Sequence, residues 1–206
     1  YTVKVVAKGG AIETTENTIE FEVTAILAPI ESATTPPSRD DTDVISIFSD
    51  VYTDIADSDF YPNWGQSTQF TVLDLNGDAI IQYSNLNYQG INLGAAIDAS
   101  TLETLHIDIW TANATSIDIF PLPNGIQAAD EKFVTKTLIA DQWNSFDIPI
   151  TEFTDQGLAL DNLMQFKFVG GGTVFIDNLY FYKASTTVSP FDSGLLTNGD
   201  FENGSD

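Results

Sequence analysis

The sequence predicts an all-β fold, a β-sandwich or jelly roll with one β-hairpin ahead of it. Three observations carry that reading. Short runs alternate apolar and polar residues, as in Ile19-Glu20-Phe21-Glu22-Val23 and Leu105-His106-Ile107-Asp108-Ile109. A period of two marks a strand with one buried and one solvated face. About nine such runs crowd into residues 44–184, and turn-forming pairs separate them, above all Asn76-Gly77.

Taken in order, residues 1–27 hold two strand-like runs, Tyr1–Ala7 and Thr18–Thr24, parted by Gly9-Gly10 and the polar stretch Glu13–Asn17. Two strands are too few for a core of their own, so they read as the end of a preceding β-sandwich. Residues 28–43 form a linker stiffened by Pro29, Pro36 and Pro37. Residues 44–184 make the one complete domain. Its first strands are Val44–Phe48, Phe70–Leu75 and Ala79–Ser84, the last two flanking Asn76-Gly77. Leu105–Trp110, Ser116–Phe120, Phe133–Ile139 and Ser145–Ile150 follow. Gln165–Val169 and Val174–Tyr182 close the domain across Gly170-Gly171-Gly172, and Leu158–Met164 suits one helical turn. Residues 185–194 are a second Ser/Thr/Pro linker, and 195–206 begin a following module.

Composition narrows the function classes. The 206 residues carry 7 Lys+Arg against 30 Asp+Glu, a net charge of −23, with 43% hydrophobic residues. That is apolar enough for a packed core. So few positive charges do not make a phosphate-binding stripe, which argues against nucleic acid and against an anionic membrane surface. Cysteine is absent, which excludes thiol catalysis, disulfides and Cys-ligated zinc. No run of about 18 apolar residues is present to insert in a membrane. The chain opens mid-strand, as expected of a piece of a longer protein.

Catalytic motifs are missing too. His106 is the one histidine, and no nucleophile elbow, P-loop or His-Glu-x-x-His occurs. The expectation is no enzyme activity in this chain. A carboxylate pair for glycoside hydrolysis stays open, because 30 acids always offer some suitable separation. What remains is a set of exposed aromatics beside amides. His106, Asp108 and Trp110 share one face of a strand whose other face, Leu105, Ile107 and Ile109, belongs to the core. Trp64, bracketed by Pro62 and Gly65 in Tyr61-Pro-Asn-Trp-Gly-Gln66, sits in a turn. Tyr88 lies in the amide-rich loop Asn85-Leu-Asn87-Tyr-Gln89-Gly90. A sugar offers an apolar C–H face to an aromatic ring and hydroxyls to amides. Trp64, Tyr88 and Trp110, with Gln66, Asn87, Gln89, His106 and Asp108, are therefore the expected carbohydrate-binding residues. No Arg cluster accompanies them, so the expected ligand is a neutral polysaccharide. Lys167, between the inward Phe166 and Phe168, points outward and reads as edge protection or a solvated face. Trp143 reads as structural.

Acids cluster at Asp50, Asp54, Asp57 and Asp59 after the first strand, and Asp177 lies on the last. Hard oxygen ligands of this kind suit Ca²⁺, although solvated acids explain them equally well.

The blocks DVISIFSDVYTDI, FYPNWGQST, LNYQG, LHIDIWTAN, WNSFDIPI, MQFKFVG and VFIDNLYFYK run in order from about Asp43 to Lys183. They resemble a β-sandwich carbohydrate-binding module of the kind found in secreted glycan-utilisation proteins of marine Bacteroidota. The segment YTVKVVAKGG…TIEFEVTA resembles the end of a polycystic-kidney-disease-type immunoglobulin-like domain, and the NGDFE tail resembles the start of another jelly-roll module. The resemblance implies an extracellular or bacterial outer-membrane-surface protein, monomeric within a multidomain chain, and β-1,3-glucan (laminarin) as its partner. It also implies a structural Ca²⁺ near the first and last strands, with Asp50 and Asp177 as candidate ligands. The rival expectations are a small glycan hydrolase or lyase and a calcium-dependent structural or adhesion module.

Overall fold

The computed structural model describes residues 2–6, 16–20 and 27–184. The expected linker 185–194 and the tail 195–206 lie outside the described residues.

Strands β1 (Thr2–Val6) and β2 (Glu16–Glu20) pair antiparallel, with Thr2 opposite Glu20 and Val6 opposite Glu16. The second strand thus starts two residues earlier than the alternation suggests.

The remainder is a β-sandwich jelly roll of two antiparallel sheets. One sheet orders β10 (Gln142–Pro149), β7 (Thr104–Thr111), β12 (Val174–Tyr182), β5 (Asp78–Ser84) and β4 (Gln69–Leu75). Along its free side β12 pairs first with β5 and then with β3 (Val44–Phe48), the change coming at a bulge between Asp177 and Tyr180. The other sheet orders β6 (Tyr88–Ile97), β11 (Leu163–Gly170), β8 (Ser116–Pro123) and β9 (Val134–Thr137). Asn76 and Gly77 have φ of 63° and 94°, which is the left-handed pair that a tight hairpin between β4 and β5 needs.

Alternate residues of both sheets meet in the core. Ile81, Ile107, Ile109 and Ile176 come from one, and Ile91, Ile119, Phe166 and Phe168 from the other; all have no exposed surface. The period-two reading of β7 and β11 therefore places its core residues correctly.

Two elements differ from expectation. The stretch around Asn85–Gly90 is not a loop throughout, because Tyr88, Gln89 and Gly90 open the ten-residue strand β6. The helical turn falls at α1 (Thr151–Thr154), while Leu163 and Met164 already belong to β11.

Residues 28–40 take no regular structure, yet they lie against the outer face of the six-stranded sheet. Trp143 Nε1 donates to the Glu31 carbonyl at 2.8 Å, and Ser32 Oγ to that of Leu75 at 3.4 Å. Arg39 donates to the Lys183 carbonyl and stacks 3.8 Å over the Tyr182 ring. Beneath this strap Ile80, Trp110 and Phe175 form a second apolar cluster that Ala28, Leu73, Leu75 and Trp143 help to cover.

Candidate functional site

The outer face of the four-stranded sheet carries the candidate site. Pairing sets its rows. Lys167 on β11 lies opposite Gly90 on β6 and Phe120 on β8, and Val169 lies opposite Tyr88 and Asp118. Since Phe166 and Phe168 enter the core, Lys167 and Val169 face outward.

Trp64 reaches this face from the loop between β3 and β4. A network of hydrogen bonds fixes that loop. The Trp64 N–H donates to Gln66 Oε1 at 2.7 Å, and Gln66 Nε2 donates to the Pro62 carbonyl at 2.8 Å and to Gln89 Oε1 at 3.2 Å. Tyr88 Oη donates to the Trp64 carbonyl at 2.8 Å, and Asn87 Oδ1 accepts from the Ser67 N–H at 3.0 Å. The indole lies on Gly90, where a Cβ would come within 2.4 Å of the ring. Only a residue without a side chain leaves it that seat.

Beside the indole is a cavity of about 410 Å³ lined by Trp64, Asn87, Tyr88, Glu131, Lys167 and Val169. Across it, the Lys167 ammonium sits 4.2 Å over the Phe120 ring and pairs with the Glu131 carboxylate. Phe133 stacks on Phe120 at 4.6 Å between centroids. In a neighbouring row Gln165 Nε2 donates to Asn92 Oδ1 at 2.8 Å. The arrangement offers aromatic surface at two positions, amides and a neutralised ion pair. Those groups stack on apolar ring faces and exchange hydrogen bonds with hydroxyls.

The expected site residues divide between the two sheets. Trp64, Asn87 and Tyr88 come together at the cavity. Gln66 and Gln89 stand behind them, and Gln89 is fully buried, so both amides hold the loop. His106, Asp108 and Trp110 lie on the outer face of the other sheet, on the opposite side of the sandwich. Trp110, expected to be exposed, is 4% exposed because the strap covers it, and it packs edge-on to Phe175 at 5.4 Å. Asp108 is buried and accepts from Asn178 Nδ2 at 2.9 Å. His106 bridges Asp147 at 2.7 Å and Asp108 at 3.3 Å and stacks on Tyr180. Burial pulls the His106 pKa down, but the two carboxylates outweigh it and hold the ring above its ordinary value.

Lys167, Glu131, Phe120 and Phe133 complete the cavity's surroundings. Lys167 was visible as an outward cation on a strand in a chain with few positives. Glu131 comes from the connection between β8 and β9, where nothing in the sequence sets it apart from other acids.

Asp50 and Asp177 both lie toward the outer face of the six-stranded sheet. Asp50 Oδ2 accepts from the Ala79 N–H at 2.6 Å. Asp177 is 1% exposed; its Oδ1 accepts from the Asn178 N–H, and its Oδ2 is buried without a hydrogen-bond partner. Burial pushes its pKa up to about 7, with the charges of Asp78, Asp108 and Asp50 adding to the rise. Asp78 is held up to about 6 by burial and by a carboxyl–carboxyl hydrogen bond with Asp50. Among the described residues no three acidic or imidazole groups are gathered into a ready-made metal site. The acids nearer the first strand cap turns instead: Asp54 Oδ1 accepts from Ser46 Oγ and the Ser49 N–H, and Asp59 Oδ1 from the Tyr61 N–H.

No protein-family model and no curated protein sequence matches the chain. Solved structures similar to it include a family 11 carbohydrate-binding module from Clostridium thermocellum in complex with a β-1,3-1,4-mixed-linked tetrasaccharide. That module is 18% identical, the match covers 69% of this chain and 96% of that one, and the TM-score is 0.46. A family 29 carbohydrate-binding module variant complexed with mannohexaose is 17% identical over 71% of this chain and 97% of its own, with a TM-score of 0.45.

Proposed function

We propose that residues 44–184 form a non-catalytic module that binds a neutral polysaccharide along the outer face of the four-stranded sheet. The observation that carries this reading is Trp64, seated on Gly90 and locked by its own loop beside a cavity lined with amide, phenol and ion pair. An aromatic platform held in place before the ligand arrives loses little freedom on binding. A net charge of −23 opposes an anionic chain. β-1,3-Glucan is the proposed ligand, read by a monomeric module of an extracellular or surface-bound bacterial protein. The test is affinity electrophoresis in laminarin and mixed-linkage β-glucan gels. The parent should be retarded without releasing reducing sugar. Trp64→Ala should lose about 2 kcal/mol or more of binding, the share of a hot-spot aromatic. His106→Gln, on the opposite face, should be retarded like the parent. A folded Trp64→Ala variant that migrates like the parent in every gel overturns the reading.

We further propose a structural Ca²⁺ beneath the strap. The buried, unpartnered Asp177 Oδ2 supports it, with Asp50 as the second candidate ligand; water and backbone carbonyls would complete the oxygen shell such an ion takes. Bound there, the ion would offset the mutual repulsion of these groups.

A further inference from the structure

We propose that Glu131 restricts the sheet face to uncharged glycans, and that its removal opens the face to carboxylated ones. The inference rests on the glycan-binding reading and assigns the residue that sets its ligand class.

Lys167 occupies the middle of the face. It lies on the central pair of strands, in register with Gly90 under the Trp64 indole on one side and with Phe120 on the other. A sugar chain stacked on Trp64 and running across the sheet passes the Lys167 side chain, which lines the same cavity. An unpaired lysine in that position would be a carboxylate-binding group, since charge-assisted hydrogen bonds are the stronger kind. Glu131 reaches over from the connection between β8 and β9 and takes that charge.

The pair is not a solvent-screened surface contact. The Lys167 side chain is 18% exposed and that of Glu131 16%, and both line the same cavity. The Lys136–Glu152 pair nearby differs, with its carboxylate 40% exposed. Partial burial of an ion pair costs desolvation free energy that an apolar pair would avoid. Apolar groups already surround it in Phe120, Phe133 and Val169. What the pair supplies, and an apolar pair would not, is ammonium N–H donors beside carboxylate acceptors at zero net charge. Vicinal hydroxyls use both. A uronate finds the ammonium taken and meets the carboxylate of Glu131.

The experiment compares affinity electrophoresis in laminarin and in polygalacturonate for the parent, Glu131→Gln, Glu131→Ser, Lys167→Met and Asp130→Asn. The parent should be retarded by laminarin alone. Both Glu131 variants should gain retardation in polygalacturonate, with affinity rising on the order of tenfold and falling again with added salt. Lys167→Met combined with Glu131→Gln should lose the gain. Asp130→Asn, which removes one exposed acid next in sequence, should not acquire it; a gain there would assign the effect to net charge and overturn the proposal. If the parent and Trp64→Ala behave as expected in laminarin but both Glu131 variants stay unretarded in polygalacturonate, the proposal is wrong and the glycan-binding reading stands. If the parent is retarded by polygalacturonate, Glu131 is no barrier. If nothing is retarded by laminarin or mixed-linkage glucan, the glycan-binding reading itself fails.

Discussion

A carboxyl group buried without a full set of partners keeps its proton. Asp177 is in that position: its pKa is pushed up to about 7 from 3.8, first by burial and then by the charge of Asp78. The folded-state value lies above the unfolded one, so the group favours the fold below about pH 4, and that contribution is lost as the pH rises toward 7. The amount is on the order of a few kcal/mol. In the presence of chelator, the melting temperature should therefore fall between pH 4 and pH 7. Asp177→Asn keeps the shape, cannot ionise, and presents an N–H₂ to neighbouring carboxylates. It should melt above the parent at pH 8 and show a flatter pH profile. Melting curves in chelator at pH 4, 6 and 8 decide the matter, and an Asn variant less stable than the parent at pH 8 under those conditions sinks the account. In the sequence Asp177 was one acid among 30. Only its place on the last strand singled it out, because its burial depends on the strap folding back over the sheet.

At the level of elements, β6 shows why part of the site was hidden. Its outward positions include Gly90 and Gly94, which break the alternation of side chains that marks a strand. Both glycines answer to a neighbour from the β3–β4 loop: Gly90 accommodates the Trp64 ring, and a Cβ on Gly94 would come within 1.9 Å of the Ala56 carbonyl oxygen. The two contacts differ in kind, one with a side chain and one with backbone. Gly90→Ala should displace the indole and weaken glycan binding, with little change in melting temperature. Gly94→Ala should cost stability instead, about 1–3 kcal/mol as in other overpacked sites. The pair is read by gel retardation and thermal melting together, and equal effects of the two substitutions on binding would contradict the seating of Trp64 on Gly90. Parity has a further limit. It tells an outward residue from an inward one, but a sandwich has two outer faces. His106, Asp108 and Trp110 are outward on β7, as their spacing implied, yet β7 pairs with β10 and β12 rather than with β6. Strand order across sheets is set by long-range pairing, which alternation does not encode. The strap over Trp110 is likewise invisible to periodicity, since residues 28–40 read as an unstructured Pro-containing stretch.

Over the whole molecule the governing quantity is charge. A net −23 destabilises the compact state through self-repulsion, and screening relieves it. The Debye length shrinks from about 30 Å at 0.01 M to about 8 Å at 0.15 M salt, so NaCl should raise the melting temperature over that range. Binding of an uncharged chain involves no such term, so retardation in laminarin should stay constant across the same salts. Specific cation binding has a different signature from screening. An ion that binds only the folded state adds about 2.7 kcal/mol at a hundredfold excess over its Kd. Millimolar CaCl2 should therefore raise the melting temperature at pH 8 beyond NaCl of matched ionic strength, and chelator should reverse it. Asp177→Asn, which removes a donor charge, should abolish the calcium increment while keeping the NaCl response. Because the acids lie on the face opposite Trp64, laminarin retardation should be the same with calcium and with chelator. If CaCl2 does no more than matched NaCl, the acids beneath the strap hold no specific ion and the calcium proposal is wrong.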